Sequence, residues 1–246
     1  MIPRIVMAEA LDDLAADDPD AIRSRIDLRR VHRSMGTRTI LLRGLHAMTA
    51  RHPRALPLRL LEIGAGDGSL MLGVAQALAP RWGAVELTLL DRQALLDPST
   101  IAHYANVGWT VVQEVADVFD WAAGGADPLP AGSRAARWDL IVANLFLHHF
   151  EGQPLASLLA AIAGRTSRFF ACEPRRDWLA LAGSHMIGAI GANHVTRKDS
   201  VLSVHAGFNG DELTALWPKQ AGAWQVQEYS AGLFSHCFRA ERPELN

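Results

Sequence analysis

The segment Leu61-Glu62-Ile63-Gly64-Ala65-Gly66-Asp67-Gly68-Ser69-Leu70 sets three glycines between two apolar stretches. Glycine lets a backbone turn sharply and approach a ligand, because no Cβ stands in the way. A helix opening behind such a turn presents unpaired N–H groups. The same glycines would also serve a tight turn with no ligand. Their spacing is Gly-x-Gly-x-Gly, so the third comes one residue too early for the dinucleotide fingerprint. Glu62 ahead of the turn and Asp67 within it suit a ligand with cationic parts better than a pyrophosphate.

Asp91 lies some twenty residues further on, after a second apolar run. In doubly wound folds an acid at that place accepts hydrogen bonds from ribose hydroxyls, although a surface acid would look the same in isolation. His148 and His149 follow a fourth apolar run, at the edge where open sheets bind ligands. Histidine titrates near neutrality and can take a proton from a hydroxyl, so both are candidate bases. They could instead orient backbone or fill space. Of the two, His148 is expected to face the substrate and His149 to be packed within the fold.

These residues need elements to hold them. Short apolar runs alternate with helical segments from about residue 57. Strands are expected over 58–63, 84–90, 109–115, 139–143 and 168–172, and helices over 70–79, 99–106 and 155–163. Alternation of this kind gives an α/β fold with a parallel sheet covered on both faces. Residues 5 to about 52 read as helices, broken at Met35-Gly36-Thr37. Asp120 to Ala136 reads as a loop or short insertion. A short helix over 212–216 and an antiparallel hairpin over 224–238 close the pattern. The division expected is an N-terminal helical cap over 1–55 and a ligand-binding domain over 56–246.

The chain has 246 residues, a formal net charge of −2, 49% hydrophobic and 20% charged residues, and two cysteines. That suits a globular protein able to bury a large core and argues against disorder. It offers no basic face for nucleic acid. Two cysteines exclude a disulfide scaffold and make a reduced cytoplasmic setting the default. No signal peptide and no apolar run of bilayer length is visible.

Glu62-Ile63-Gly64-Ala65-Gly66-Asp67-Gly68 resembles the first motif of class I S-adenosylmethionine-dependent methyltransferases. Asp91, then Ala116-Asp117-Val118, then Trp138 to Phe150 match three further segments of that family in order. The last is similar to small-molecule members of the quinone-biosynthesis and polyketide-tailoring kind. The resemblance implies a Rossmann-like seven-stranded sheet with its last strand antiparallel beside the fifth. It also implies S-adenosylmethionine as methyl donor and S-adenosylhomocysteine as product. Carried across, Glu62, Gly64, Ala65, Gly66, Asp67 and Gly68 would form the donor turn. Asp91 would lie at the ribose, Asp117 and Val118 at the adenine and Asn144 at the methionine portion, with Arg92 a further donor-binding residue.

The expected activity is methyl transfer to a small organic acceptor, first of all a hydroxyl of a phenolic, quinone-like or polyketide compound. Carbon or nitrogen methylation, a non-catalytic donor-binding protein and, more remotely, a nicotinamide-dependent oxidoreductase are the alternatives. Nucleic acid is not an expected partner, because the Asn-Pro-Pro-aromatic pattern of base-methylating relatives is missing. The apolar N-terminal helices would allow a homodimer. Among Arg29, Arg30, His32, Arg33 and Arg38, which could equally be a solvated face, Arg38 is the choice to reach the donor carboxylate. Arg175 and Arg176 could hold an acidic substrate group or sit at a solvated helix start. His185, His194 and His205 are weaker substrate contacts, in a segment that could form a lid. No metal is expected, since adjacent histidines lack the i, i+4 spacing of two ligands on one helix face.

Overall fold

A computed structural model describes residues 2–50, 52–53, 55–124, 138–219 and 224–243. Seven strands form one sheet: β1 (Leu58–Ile63), β2 (Val85–Asp91), β3 (Trp109–Val115), β4 (Leu140–Asn144), β5 (Arg168–Pro174), β6 (Gln225–Ala231) and β7 (Ser235–Glu241). Their order is β3-β2-β1-β4-β5-β7-β6. β1 to β5 pair in parallel, and β7 runs antiparallel to both β5 and β6.

Successive strand residues point to opposite faces, and both faces here are buried. Leu60, Leu87 and Phe170 enter one core cluster with Leu41, Leu45 and Met71. Their neighbours Leu61 and Phe169 enter the other, with Leu158, Ile162 and Trp217. The first cluster is covered by α3 (Thr37–Thr49), α4 (Ser69–Leu78) and α5 (Pro98–Asn106), and the second by α6 (Val118–Ala123), α7 (Gly152–Arg165) and α10 (Glu212–Leu216). α3 lies so close to the sheet that a Cβ on Gly44 would stand 2.5 Å from the Phe170 ring.

Before α3 the chain is less regular than the expected helices. Residues 2–9 are without helix or strand, and α1 (Ala10–Asp13) is a single turn. α2 (Pro19–Met35) is capped by Asp18, whose carboxylate accepts from the N–H groups of Asp20 and Ala21, and the chain turns at Gly36 as expected. α8 (Trp178–Met186) and α9 (His194–Ala206) fill the segment between β5 and the terminal hairpin. The expected loop from residue 120 begins instead inside α6, because Asp117 caps a helix there; residues 125–137 lie outside the described residues. Among the described residues, no helix is long and apolar enough to cross a membrane.

Candidate active site

The carboxyl ends of β1, β2, β3 and β4 converge on a cavity of about 550 Å3. The glycine turn forms its floor. The N–H groups of Gly64 and Ala65 donate to Leu90 O at 2.9 and 3.1 Å. Asp91 fastens the same turn: its Oδ2 accepts from Gly66 N at 2.8 Å and its Oδ1 from Gln93 N at 2.9 Å. Gly64 has φ 69°, and a Cβ there would stand 2.3 Å from Phe146 Cδ2. Gly66 has φ 57°, and a Cβ there would meet nothing within 4 Å. One glycine is required by packing, whereas the other leaves open space on the floor.

Three buried polar atoms among the lining residues have no partner: Glu62 Oε2, Asn144 Oδ1 and His32 Nε2. Burial raises Glu62 to about 8, aided by the charges of Asp67 and Asp91. Burial pushes His32 down to about 4, against the pull of Asp67, so its ring is neutral at pH 7. Burial alone would raise Asp67, but bonds from Ser69 and the charge of Arg29 hold it below the ordinary carboxylate range. Arg29 Nη2 lies 2.7 Å from Asp67 Oδ2. Unpaired acceptors and a spare carboxylate are what a cationic, hydrogen-bond-donating ligand needs. These acceptors fit the cationic aminoacyl end of S-adenosylmethionine.

Beyond β4 the backbone is strained. Leu145 has φ 50°, a left-handed conformation costing about 1–2 kcal/mol for a residue with a side chain. It leads into a 3-10 turn, Leu147–His149. The fully buried Glu173, at the end of β5, accepts from the N–H groups of Phe146, Leu147 and His148 at 3.1, 3.0 and 3.4 Å. Glu173 Oε2 also lies 2.8 Å from His148 Nδ1. On the other side His148 Nε2 lies 3.3 Å from Glu9 Oε1. Burial lowers the affinity of His148 for its proton, but the bonds to Glu173 and Glu9 together outweigh it and lift the ring to about 9. His148 is thus a packed imidazolium held between two carboxylates. His149 is the more open ring: Nδ1 meets Phe146 O at 2.9 Å, while Nε2 lies 3.6 Å from Glu9 Oε2 and 3.4 Å from Asp12 Oδ2. His148 is thus the more buried ring and His149 the more open one, and both line the cavity.

Glu9 and Asp12 reach the site because the N-terminal segment is strapped across the cavity. Arg4 Nε donates to Ala206 O at 2.8 Å, and Ile5 N donates to His205 O at 3.1 Å. Asp199 of α9 accepts from the N–H groups of Ala10 and Leu11, both at 2.9 Å, and so caps α1 from another part of the chain. Gln93 holds Leu14 O at 3.0 Å.

Of the residues expected at the site, Glu62, Gly64, Ala65, Gly66, Asp67, Asp91, Arg92, Asp117, Val118, Asn144, His148 and His149 all line the cavity. Asp117 Oδ1 is engaged in capping α6, at 2.7 Å from Phe119 N, and Arg92 faces Asp12 at 3.8 Å. Gly68 and Arg38 do not line it. Gly68 has φ 71°, a left-handed conformation at the start of α4 that favours glycine, so the turn explains that residue; Arg38 lies against Gly73 of α4, turned to the helix layer. Besides Arg92, two arginines of α2 line the cavity: Arg25, bonded to Ala16 O and Gln93, and Arg29, one helical turn before His32. Arg176 is neither solvated nor in the cavity: it is buried, bonded to Ile2 O, Gly207 O and Glu212. Arg175 pairs with Asp177 at 2.7 Å. His185, His194 and His205 stand outside the cavity. Glu9, Asp12 and Ser203 were missed by sequence reasoning, and no local signal marks them.

No family model matches the chain, and a search of curated protein sequences finds no match. Solved structures do resemble it. The plantazolicin methyltransferase BpumL, in complex with a triazolic desmethylPZN analog and SAH, superposes with a TM-score of 0.63 at 14% identity, over 92% of each chain. An O-methyltransferase family protein from Burkholderia thailandensis gives 0.57 at 16% identity, over 89% of this chain and 59% of that one. N,N-8-amino-8-demethyl-D-riboflavin dimethyltransferase (RosA) from Streptomyces davawensis gives 0.57 at 16% identity, over 95% of this chain and 62% of that one. With the strand order and the antiparallel β7, these likenesses give the chain the class I methyltransferase fold.

Proposed function

We propose that the protein transfers a methyl group from S-adenosylmethionine to a small organic acceptor, with an oxygen acceptor as the favoured case. The observation that carries this reading is the set of unpartnered atoms of Glu62, Asn144 and His32, gathered at the carboxyl edge beside the glycine turn and Asp91. When bound, the donor supplies an electrophilic methyl group on a positively charged sulfur. Glu62 and Asn144 would hold its cationic end, Arg29 its carboxylate, Asp91 its ribose, and Asp117 with Val118 its adenine. The methyltransferase names of the similar structures, one of them with SAH, support the choice of donor.

The acceptor end is read as the side lined by Glu9, Asp12 and His149, where a hydroxyl could be held and its proton drawn off. A phenol loses its proton only near ~10 in water, so such help is needed at neutral pH. His148, with both nitrogens engaged by carboxylates, positions that side rather than acting as the base. The covering part of the chain is the segment from Val6 to Asp13 together with α2, since α3 is packed into the sheet.

Calorimetric titration with S-adenosylmethionine, S-adenosylhomocysteine and NAD tests the reading. Micromolar binding of the first two and none of NAD is expected. Binding of NAD alone, or of none of the three, would overturn it.

A further inference from the structure

The ligand atoms of Glu9, His148 and His149 lie within 4.8 Å of one another. The individual separations are close to those of atoms sharing one ion. A divalent cation about 2.1 Å from each of its nitrogen and oxygen ligands holds neighbouring ligand atoms about 3.0–3.5 Å apart. Here His148 Nε2 is 3.3 Å from Glu9 Oε1, His149 Nε2 is 3.6 Å from Glu9 Oε2, and His149 Nε2 is 3.4 Å from Asp12 Oδ2.

The outer contacts point the same way. A metal-binding histidine usually donates its other ring N–H to a carboxylate or carbonyl, which fixes the tautomer and aims the free lone pair at the ion. His148 Nδ1 faces the Glu173 carboxylate at 2.8 Å, and His149 Nδ1 faces Phe146 O at 2.9 Å. Both second atoms can only accept, so both rings present Nε2 toward Glu9. Glu173 is itself fixed by three backbone N–H groups, and Glu9 is steadied by Ser203. Adjacent histidines in an extended strand would point apart. The 3-10 turn at 147–149 brings the rings together, with centroids 4.2 Å apart.

We propose that Glu9, His148 and His149 form a site for one divalent first-row transition ion of the zinc or manganese kind, with Asp12, outside that group but 3.4 Å from His149 Nε2, close enough to swing in as a fourth ligand. Two imidazoles with carboxylates suit such ions and disfavour magnesium and calcium, which prefer all-oxygen shells. Once the ion has displaced the proton of His148, two neutral imidazoles with two carboxylates also balance a double positive charge. Asp12 is the more exposed ligand, at 44% against 13% for Glu9. It is therefore the one an incoming oxygen could displace. Resting on the methyl-transfer reading, the ion would hold an acceptor hydroxyl or carboxylate at the cavity and make a hydroxyl more acidic there. Because Glu9 and Asp12 come from the N-terminal segment, the ion would also pin that segment over the donor.

The test uses the full chain stripped with a chelator, titrated calorimetrically with Zn2+, Mn2+ and Mg2+. One equivalent of Zn2+ should bind with micromolar or tighter affinity, and Mg2+ at least about 100-fold more weakly. Glu9→Gln and His149→Ala should each weaken Zn2+ binding at least about tenfold. Circular dichroism should show both variants folded. With Co2+, the wild type should gain a visible absorption band that both variants lose. Absence of stoichiometric Zn2+ binding, or binding unchanged in both variants, would overturn the site. S-adenosylhomocysteine is titrated into the same samples: its binding without Zn2+ binding removes the metal site alone, and Zn2+ binding without it removes the donor reading alone.

Discussion

Glu173 and His148 are 25 residues apart in sequence, yet the Glu173 carboxylate lies 2.8 Å from His148 Nδ1 and also accepts the main-chain N–H of His148. One buried carboxylate therefore fixes both the ring and the backbone that carries it. Glu173→Gln keeps the shape but turns an amide NH2 toward N–H donors. Breaking a buried charged pair costs about 3–5 kcal/mol, and about 1 kcal/mol shifts the melting temperature of a chain this size by roughly 2–4 °C. A fall of about 6 °C or more in thermal denaturation is expected. A melting temperature within two degrees of wild type would mean that the turn holds itself.

The two floor glycines should respond differently to alanine. Gly66→Ala places a methyl in open space at φ 57°, so the cost is the left-handed backbone alone, about 1–2 kcal/mol. The methyl would occupy the donor's approach, and affinity for S-adenosylhomocysteine should fall at least about tenfold. Gly64→Ala meets Phe146 at 2.3 Å as well as the strain of φ 69°, so it should lose more stability, about 3 kcal/mol in urea unfolding. Equal midpoints for the two variants would contradict this division.

Arg29 rather than Arg38 should carry the donor carboxylate. Arg29→Ala should weaken donor binding by about 1–2 kcal/mol, the lower part of the range for charge-assisted bonds because the side chain is half exposed. Arg38→Ala, against α4, should leave the affinity unchanged. Calorimetry on the two variants decides it, and the opposite ranking would restore Arg38.

The sheet was legible because its signals are local. β1 and β3 fall on the expected bounds, since short apolar runs ending in glycines or acids read as covered parallel strands. The glycine-turn side of the cavity was legible for the same reason: Glu62, Gly64, Gly66 and Asp91, which line it, sit at fixed offsets from strand ends. The side lined by Glu9 and Ser203 was not. Glu9 meets His148 across 139 residues and Ser203 across 194, and neither spacing leaves a mark in a linear pattern. The N-terminal stretch was read as helical because Leu11 and Leu14 recur with helical period. Its opening residues instead spend their hydrogen bonds on α9, where Ile5 N donates to His205 O. The placing of the two histidine rings was not legible either: adjacency in sequence says little, and the 3-10 turn at 147–149 sets where they lie.

Glu62 should make donor binding depend on pH. Its carboxyl is raised to about 8 in the folded protein by burial and by Asp67 and Asp91, so near pH 6 it carries a proton. A cationic ligand favours the ionised carboxylate, and binding at pH 6 must expel that proton. Affinity should therefore rise by about tenfold or more between pH 6 and 8 and level off above, since one pKa unit is a factor of ten. The same raised value means that the ligand-free protein draws stability from this group fully below about 4.5 and loses it as pH climbs through 8. Calorimetry in two buffers of different ionisation heat counts the proton released. Glu62→Gln should abolish that release, and an unchanged release would assign it elsewhere.

In metal-free protein the contact between Glu9 and His148 should act as a latch on the N-terminal segment. Burial favours the neutral form of Glu9, but the bonds and charges of His148 and His149 win and depress its pKa far below the ordinary 4.5. Its contribution to closure is present above about 4.5 and is lost only as pH falls through that depressed value. His148 is raised to about 9, so its contribution is complete below 6.5 and disappears as pH rises from there through 9. Both charges are in place between about pH 4.5 and 6.5, and the latch weakens on the alkaline side. Ala10 and Leu11, whose N–H groups donate to Asp199, report its state. Their hydrogen-exchange protection, corrected for the intrinsic rate, should drop at least about tenfold between pH 6 and 9.5. Glu9→Gln should show the low protection already at pH 6, with little further change. If wild-type protection stays level across that range, the segment is held by Asp199 and Arg4 alone, and the His148 charge does no work in closing it.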